Sequence, residues 1–368
     1  MSTGEVSQCD RAVVQAGAGS AADRPQLIFF VELEGPALHE LLLTPGLCDH
    51  LVAQRHAVAL ALPRLDDGRA QAVRLLNAHD IPVVAWLLLP PEDGSAFNLQ
   101  NYPQAVACYR AFQSWALEHA LRFAAVGLDI EPPPVEVARG ERWTLREMAR
   151  RLWLASENVL YPSAHAAYTE LVAAIRHDGY EVHTYQMPFI ADDRRAGTTL
   201  VQRALDIMDL PSDMDVLMCS SSVPIDWLDY DLGGALIASY GPSADAIGIG
   251  SIGEASAGEE PAPPLPWSAL RRDLLLAAHY TDTLYIFTLE DCVRRGLLER
   301  IATLDWGAEA RAVPGKRALV GALRGILLAL LIAARFGRTA LAWAGWALAA
   351  ALWLRGRRAR RARSARGR

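Results

Sequence analysis

Apolar and other residues alternate in short runs from Pro25 to about Leu304, and each run is followed by a longer segment with helical periodicity. The runs predict eight strands: Gln26–Glu34, Ala57–Leu62, Pro82–Leu89, Phe123–Glu131, Glu181–Met187, Asp215–Ser220, Ala246–Ser251 and Thr283–Leu289. The segments between them predict helices near Pro45–Arg55, Gly68–His79, Pro103–Leu121, Thr144–Asp178, Thr199–Met208, Trp227–Tyr240, Trp267–His279 and Asp291–Leu304. Eight alternations over about 280 residues predict an α/β fold, a (β/α)8 TIM-like barrel, with a doubly wound parallel sheet as the alternative.

The first two predicted strands have the two-sided pattern of a closed barrel. In the second, Ala57–Leu62, large apolar residues alternate with alanines, which would leave room inside for larger neighbours. One face of the first strand is apolar throughout, while the other ends in Glu32 and Glu34. Barrel enzymes place their chemistry where strands exit, so these acids are expected at the mouth. A salt bridge with Arg64 or Arg194 is the alternative.

The exit of the fourth strand carries the strongest candidate for chemistry. Strand geometry places Asp129 and Glu131 on one face, roughly 6–7 Å apart at the backbone. Ionised groups without partners are costly to bury, so two carboxylates at the end of a buried strand indicate a functional site. Their mutual repulsion would raise the pKa of one of them, which suits a general acid. The structural alternative is that both bind an arginine or cap a neighbouring helix.

The run from Gly127 to Pro132 resembles the fourth-strand signature of (β/α)8 glycoside hydrolases. In the chitinase-like family 18 this strand ends in Asp-x-Asp-x-Glu. Asp129 and Glu131 match its last two acidic positions, and Gly127 stands where the earlier Asp would be. In the barrel glycosidases with Asn-Glu-Pro, the Glu and the Pro are matched and Ile130 replaces the Asn.

The resemblance implies a carbohydrate or glycan as the substrate. It gives Glu131 the role of the general acid that protonates the glycosidic oxygen. The family 18 pattern implies that Asp129 orients a substrate acetamide for substrate-assisted attack. The residues themselves support the same roles, because acetal cleavage needs one protonated carboxyl and a second group that stabilises positive charge.

Five further residues are expected to line the substrate pocket: Glu32, Glu34, Trp86, Tyr185 and Gln186. The indole of Trp86 could stack on a pyranose ring, because aromatic faces suit the apolar faces of sugars. Core packing is the alternative for Trp86 and Tyr185. Glu290, at the exit of the eighth strand, either adds an acid to the mouth or caps the helix that follows.

Two other classes of protein fit the same residues. The four carboxylates of Glu32, Glu34, Asp129 and Glu131 around one mouth would suit Mg²⁺ or Mn²⁺, as in a metal-dependent barrel enzyme. No other cofactor is predicted. The third class is a catalytically silent, membrane-tethered binding or scaffold module, in which Glu131 pairs with a basic side chain.

The segment 311–368 predicts a membrane anchor. Two apolar runs, Ala318–Ala334 and Thr339–Leu354, would each extend roughly 24–26 Å as helices, slightly less than a hydrocarbon core of about 30 Å. Arg335 and Arg338 separate the runs, and we predict that the chain turns there to form a helical hairpin. A single span over the second run and a soluble hairpin packed on the barrel are the alternatives.

The charge distribution supports a membrane partner and argues against nucleic acid. From Lys316 onward there are 13 basic residues and no acidic ones, so residues 318–361 are expected to contact anionic lipid. Subtracting these from the 36 basic residues leaves 23, against 42 acidic residues, in residues 1–315, a net charge of −19. Such an acidic body does not favour a nucleic acid. A hairpin would keep the basic ends and the barrel on the cytoplasmic side.

The remaining features set the domain limits. Residues 1–24 predict a flexible leader without a secretory signal, and residues 25–310 predict the barrel. The five cysteines include no CxxC pair, so no zinc site is predicted and a reducing compartment is expected. The protein is therefore expected at a membrane, with its barrel in the cytoplasm.

Overall fold

The computed structural model describes residues 24–133, 145–220, 232–250 and 265–366. Eight strands lie in these ranges: β1 (Gln26–Val31), β2 (Ala57–Leu62), β3 (Val83–Leu87), β4 (Ala125–Asp129), β5 (Glu181–Gln186), β6 (Met214–Met218), β7 (Ala246–Gly250) and β8 (Thr283–Phe287). Each strand pairs in parallel with the next, and β8 pairs in parallel with β1. The sheet is a closed barrel, which confirms the predicted fold and excludes the doubly wound alternative.

Helices surround the barrel between successive strands: α1 (Gly35–Leu42), α2 (Leu47–Ala53), α3 (Asp67–Ala78), α4 (Tyr102–Glu118), α5 (Leu145–Leu154), α6 (Tyr161–His177), α7 (Ile190–Ala196), α8 (Leu200–Leu205), α9 (Gly233–Tyr240), α10 (Trp267–Ala278), α11 (Leu289–Arg294) and α12 (Leu297–Ala302). Two of them, α1 and α7, of eight and seven residues, lie outside the predicted helices. Residues 1–23 of the predicted leader and 227–231 of a predicted helix lie outside the described residues.

Strand alternation divides the buried side chains into two clusters. One face of each strand packs outward against the helices, as Leu27 and Phe29 do on β1. The opposite faces fill the barrel interior with aromatic rings and small residues: Phe30, Trp86, Tyr185, Tyr285 and Phe287, with Ala57, Ala59 and Ala61 on β2. Large and small inward residues on different strands therefore fill the space together.

Gly127 shows how closely these inward residues fit. A Cβ atom added to Gly127 would lie 2.4 Å from the hydroxyl oxygen of Tyr185 and 2.7 Å from its Cζ. Real Cβ atoms essentially never come so close, so any larger residue at this position would displace the tyrosine ring. The absence of a side chain at Gly127 therefore leaves the space that the ring of Tyr185 occupies in the barrel interior.

The C-terminal segment forms one helix, α13 (Pro314–Arg366), of 53 residues. The prediction of an apolar C-terminal helix is confirmed, but the predicted hairpin is wrong, because the helix continues through residues 335–338. Arginine is a good helix former, and one glycine, Gly337, costs only about 1 kcal/mol relative to alanine. Arg335 also donates a hydrogen bond to the carbonyl oxygen of Ala196, 2.5 Å away. The charges between the two apolar runs thus contact the barrel and do not mark a turn.

The first half of α13 packs on the barrel, against α5, α7 and α9. Val320 and Leu331 are buried there, whereas Trp343 and Trp346 in the second half are exposed. Pro314–Gly337 is long and apolar enough to cross a membrane by length and composition, with a mean hydropathy of 2.0, and only 11% of its most apolar stretch is buried. By length and composition this helix is compatible with membrane association. The predicted cytoplasmic location of the barrel rested on a hairpin with both of its ends on one side of the membrane. One continuous helix does not support that argument.

Candidate active site

The backbone at the exit of β4 is held on both sides. The carbonyl oxygen of Asp129 accepts a hydrogen bond from the N–H of Phe97 (2.7 Å), and the N–H of Glu131 donates to the carbonyl oxygen of Phe97 (3.1 Å). On the other side, the N–H of Ile130 donates to the carbonyl oxygen of Tyr185 (3.0 Å). Phe97 belongs to the loop after β3, which therefore adds a short parallel bridge to β4. Both acids project from a backbone with little freedom to move.

Asp129 lies on the inward face of β4, as the alternation predicts, and its side chain is half-buried. The indole N–H of Trp86 donates to Oδ2 of Asp129 at 3.1 Å. Burial raises the pKa of the Asp129 carboxyl well above its ordinary value. The neighbouring charges of Glu131 and Glu32 raise this pKa as well, whereas the hydrogen bond from Trp86 opposes the rise. The arrangement favours a protonated carboxyl.

Glu131 lies two residues further on, and its side chain is accessible to solvent. Its surroundings still desolvate the carboxyl, which raises its pKa. Among the residues that the structure describes, no basic side chain forms an ion pair with either Asp129 or Glu131. The arginine-paired alternative for these two acids therefore has no support in this part of the chain.

The two acids border a cavity of about 510 Å³. One wall comes from the strand exits, with Asp129, Glu131, Tyr185 and Gln186, and the opposite wall comes from α13, with Val320, Leu323, Arg324 and Leu327. A larger recess, of about 1350 Å³, is bordered by Tyr280 and the start of α13. Tyr280 precedes β8, so this recess lies at the opposite end of the barrel from the strand exits, where barrel chemistry takes place.

Glu32 and Glu34 have different surroundings in the structure. Glu34 lies beyond the end of β1 and forms an ion pair with Arg69 at 3.2 Å. Glu34 therefore forms the salt bridge that was the alternative to a role at the mouth, but its partner is Arg69 and not Arg64 or Arg194. Glu32 remains half-buried at the β1 exit, close enough for its charge to raise the pKa of Asp129.

Glu290 extends this acidic side of the mouth. Its Oε1 accepts a hydrogen bond from the backbone N–H of Glu32 at 3.2 Å, and burial raises its pKa. Thr288 caps α11, so Glu290 is not the cap of that helix. In the described part of the chain, no three histidine, cysteine, aspartate or glutamate side chains lie close enough together to hold a metal ion.

The remaining predicted pocket residues differ in what they can contact. Trp86 is 4% exposed, and its ring packs on Phe30 at 4.8 Å between centroids, so it acts on the site through Asp129 and offers no open stacking surface. Tyr185 and Gln186 are buried but border the cavity. The amide nitrogen of Gln186 donates to the hydroxyl of Thr184 at 3.2 Å.

The fold and this site define a (β/α)8 barrel protein with an acidic mouth and a long C-terminal helix. No protein-family model matches the chain, and no curated protein matches it. Among solved structures, the glycoside hydrolase domain of PgaB (BpsB) from Bordetella bronchiseptica is 11% identical, with a TM-score of 0.43, over 77% of this chain and 99% of that chain.

Two further solved structures are similar at the same level. A xylose isomerase domain protein from Planctomyces limnophilus is 14% identical, with a TM-score of 0.41, over 76% of this chain and 97% of that one. A D-psicose 3-epimerase from Clostridium cellulolyticum is 11% identical, with a TM-score of 0.39, over 77% of this chain and 98% of that one. Such similarity carries no argument about chemistry, and the barrel assignment rests on the strand pairing of this chain.

Proposed function

We propose that the barrel is a glycoside hydrolase in which Glu131 is the general acid and Asp129 is its partner. The observation that carries the proposal is two adjacent acids at a strand exit that border one cavity. Both have a raised pKa, and neither has a basic partner in the described part of the chain. A carboxyl with a raised pKa suits the general acid that acetal cleavage requires.

The positions of the two acids suggest different tasks. Glu131 is accessible, so its proton can pass to the glycosidic oxygen as the bond from that oxygen to C1 breaks. Asp129 lies deeper and is held by Trp86. Its carboxyl can accept a hydrogen bond from the N–H of a substrate acetamide while the acetamide oxygen attacks C1. The Glu131 carboxylate then takes a proton from the water that attacks C1 and releases the sugar. We therefore propose an N-acetylhexosamine glycoside as the substrate.

The two rival classes have less support. A divalent-metal enzyme would need Glu32, Glu34, Asp129 and Glu131 around one ion, but Glu34 pairs with Arg69. A silent scaffold predicts that Glu131 is neutralised by a basic side chain, and no described residue forms such a pair. We also propose that α13, with residues 318–361, contacts lipid and keeps the barrel at a membrane.

Substituting Glu131→Gln in the full chain tests the acid role through the leaving group. Hydrolysis of a 4-methylumbelliferyl N-acetylglucosaminide, whose leaving group benefits from protonation, should fall by about 10²- to 10⁴-fold. Hydrolysis of the 2,4-dinitrophenyl glycoside should fall far less, because that leaving group departs without a proton. Glu118→Gln, at an exposed glutamate on α4, is the matched control. Unchanged activity of the Glu131 variant, or equal losses on both substrates, would exclude the role.

A further inference from the structure

We propose that the cavity binds an amphiphilic glycoside, that is, a sugar linked to a hydrocarbon chain. The inference rests on the proposed function and names the substrate class of the same site. Two chemically different sets of side chains line the cavity. One set includes the carboxyls of Asp129 and Glu131, and the other consists of apolar side chains from three separate segments.

The apolar side chains come from the barrel and from α13. Phe189 follows β5, Leu236 lies on α9, and Leu323 and Leu327 come from α13. Ten of the seventeen residues that line the cavity are apolar. A free polysaccharide would bring hydroxyl groups against this surface, where they would lose water without gaining hydrogen bonds. A hydrocarbon chain loses nothing by leaving water and gains from burial.

The polar residues that line the cavity include, besides the two acids, a hydrogen-bond acceptor without a partner in the described part of the chain. Gln186 is 2% exposed, and its carbonyl Oε1 has no hydrogen-bond partner within the described residues. Its amide nitrogen is already engaged by Thr184. Buried polar atoms are normally satisfied, so an orphaned acceptor beside a cavity indicates a ligand donor such as a sugar hydroxyl or an acetamide N–H.

Besides Leu323, the helix α13 also exposes apolar side chains that do not border the cavity. Leu323 is 40% exposed, and Ile326, Ile332 and Phe336 on the same helix are exposed as well. Further along the helix, residues 342–355 are exposed, and they include Trp343. Lipid that contacts these exposed side chains would hold an amphiphilic substrate close to the cavity.

Binding of uncleavable analogues tests this inference independently of catalysis. The full chain is placed in phosphatidylcholine–phosphatidylglycerol nanodiscs and titrated with methyl, butyl and octyl β-thioglycosides of N-acetylglucosamine, with empty nanodiscs as the blank. Each methylene buried in the cavity should tighten binding about fourfold. The butyl-to-octyl step should therefore exceed a hundredfold if all four added methylenes are buried.

Two variants separate the cavity from the surrounding lipid. Leu323→Asn should weaken octyl binding at least tenfold and leave methyl binding unchanged. Ile326→Asn is the matched control, because Ile326 is equally exposed on the same helix but does not border the cavity, and it should bind like the parent chain. Gln186→Leu should weaken every member of the series.

The outcomes distinguish this inference from the proposed function. Chain-length-dependent binding that Leu323→Asn weakens at least tenfold for the octyl glycoside supports the inference even if the oxygen glycosides are not hydrolysed, and in that case the proposed hydrolase activity fails. Hydrolysis of N-acetylglucosaminides with no dependence on chain length overturns the inference and leaves the hydrolase intact. Equal behaviour of the Leu323 and Ile326 variants, or octanol binding as tightly as the octyl glycoside, also overturns it.

Discussion

Substituting Arg324→Gln is expected to loosen the first half of α13 from the barrel. Arg324 is the one charged residue within the apolar run Ala318–Ala334. Its Nε lies 2.5 Å from Oδ1 of Asp192, a carboxylate with no exposed surface. The guanidinium also lies 4.3 Å from the ring centroid of Tyr240, whose hydroxyl donates to Oδ2 of Asp192 at 2.8 Å. Removing the arginine leaves a buried carboxylate without its counter-charge.

The size of the effect follows from that burial. Breaking a buried ion pair by removing one partner costs about 3–5 kcal/mol. At about 2–4 °C per kcal/mol for a domain of this size, the Tm should fall by roughly 6–20 °C. Asp192→Asn in the same chain should recover most of the loss, because no charge then remains buried. Arg317→Gln, at an exposed arginine on the same helix, should shift Tm by no more than about 2 °C.

Intrinsic tryptophan fluorescence during heating measures these shifts in nanodiscs, and limited proteolysis at the α12–α13 connection reports whether the helix has loosened. If the Arg324 variant melts like the Arg317 variant, the docking of α13 on the barrel is refuted. If the double variant is as unstable as Arg324→Gln alone, the buried charge is not the cause of the loss.

Two further predictions concern the barrel interior. Burial raises the pKa of Asp129 above its ordinary value of 3.8, so its contribution to stability is present below that value and is lost as the pH rises toward the raised pKa. Asp129→Asn should therefore raise the Tm at pH 7 and have a smaller effect at pH 4. An equal change in Tm at pH 7 and pH 4 would contradict the raised pKa of Asp129. Gly127→Ala should cost about 1–3 kcal/mol in urea unfolding, because the added methyl meets Tyr185. In Gly321→Ala the added methyl meets nothing within 4 Å, and alanine is favoured over glycine in a helix by about 1 kcal/mol, so this control should not lose stability. A loss equal to that of Gly127→Ala would refute the close fit.

The barrel could be predicted from the sequence because strand alternation is a local property. In β2, Ala57–Leu62, the predicted limits coincide with the observed ones, and the alanines face the interior as expected. In β4 the alternation assigns Asp129 to the inward face, although the strand ends at Asp129 and not at Glu131. Past Asp129 the N–H of Ile130 still bonds to Tyr185 of β5, but on the other side the chain bonds to Phe97 in the loop after β3. No local pattern predicts such a contact.

The errors arise where a distant residue decides the outcome. Arg335 in isolation marks a break between two apolar runs, but its partner, the carbonyl of Ala196, is far away in sequence. Glu34 shares the face of Glu32 by alternation, yet Arg69 binds it once the strand has ended. Trp86 is the kind of residue on which a sugar ring could stack. Its ring is packed against the aromatic ring of Phe30, however, and only its N–H reaches the site. Pattern predicts which face a residue occupies and cannot predict which partner it meets there.

The strongest argument that Asp129 and Glu131 have a chemical task comes from the partners of the buried acidic side chains elsewhere in the chain. Buried acids in the described residues are neutralised by arginine or bound by backbone N–H groups: Asp192 by Arg324, Asp215 by Arg194, Asp273 by Arg272 and Asp193 by the N–H of Leu200. The chain is rich in arginine, so such a partner was available for the β4 pair too. Asp129 instead receives one neutral donor, Trp86, and has a second acid beside it. An arrangement that raises the pKa of two carboxyls and sacrifices stability at neutral pH is typical of sites that transfer protons.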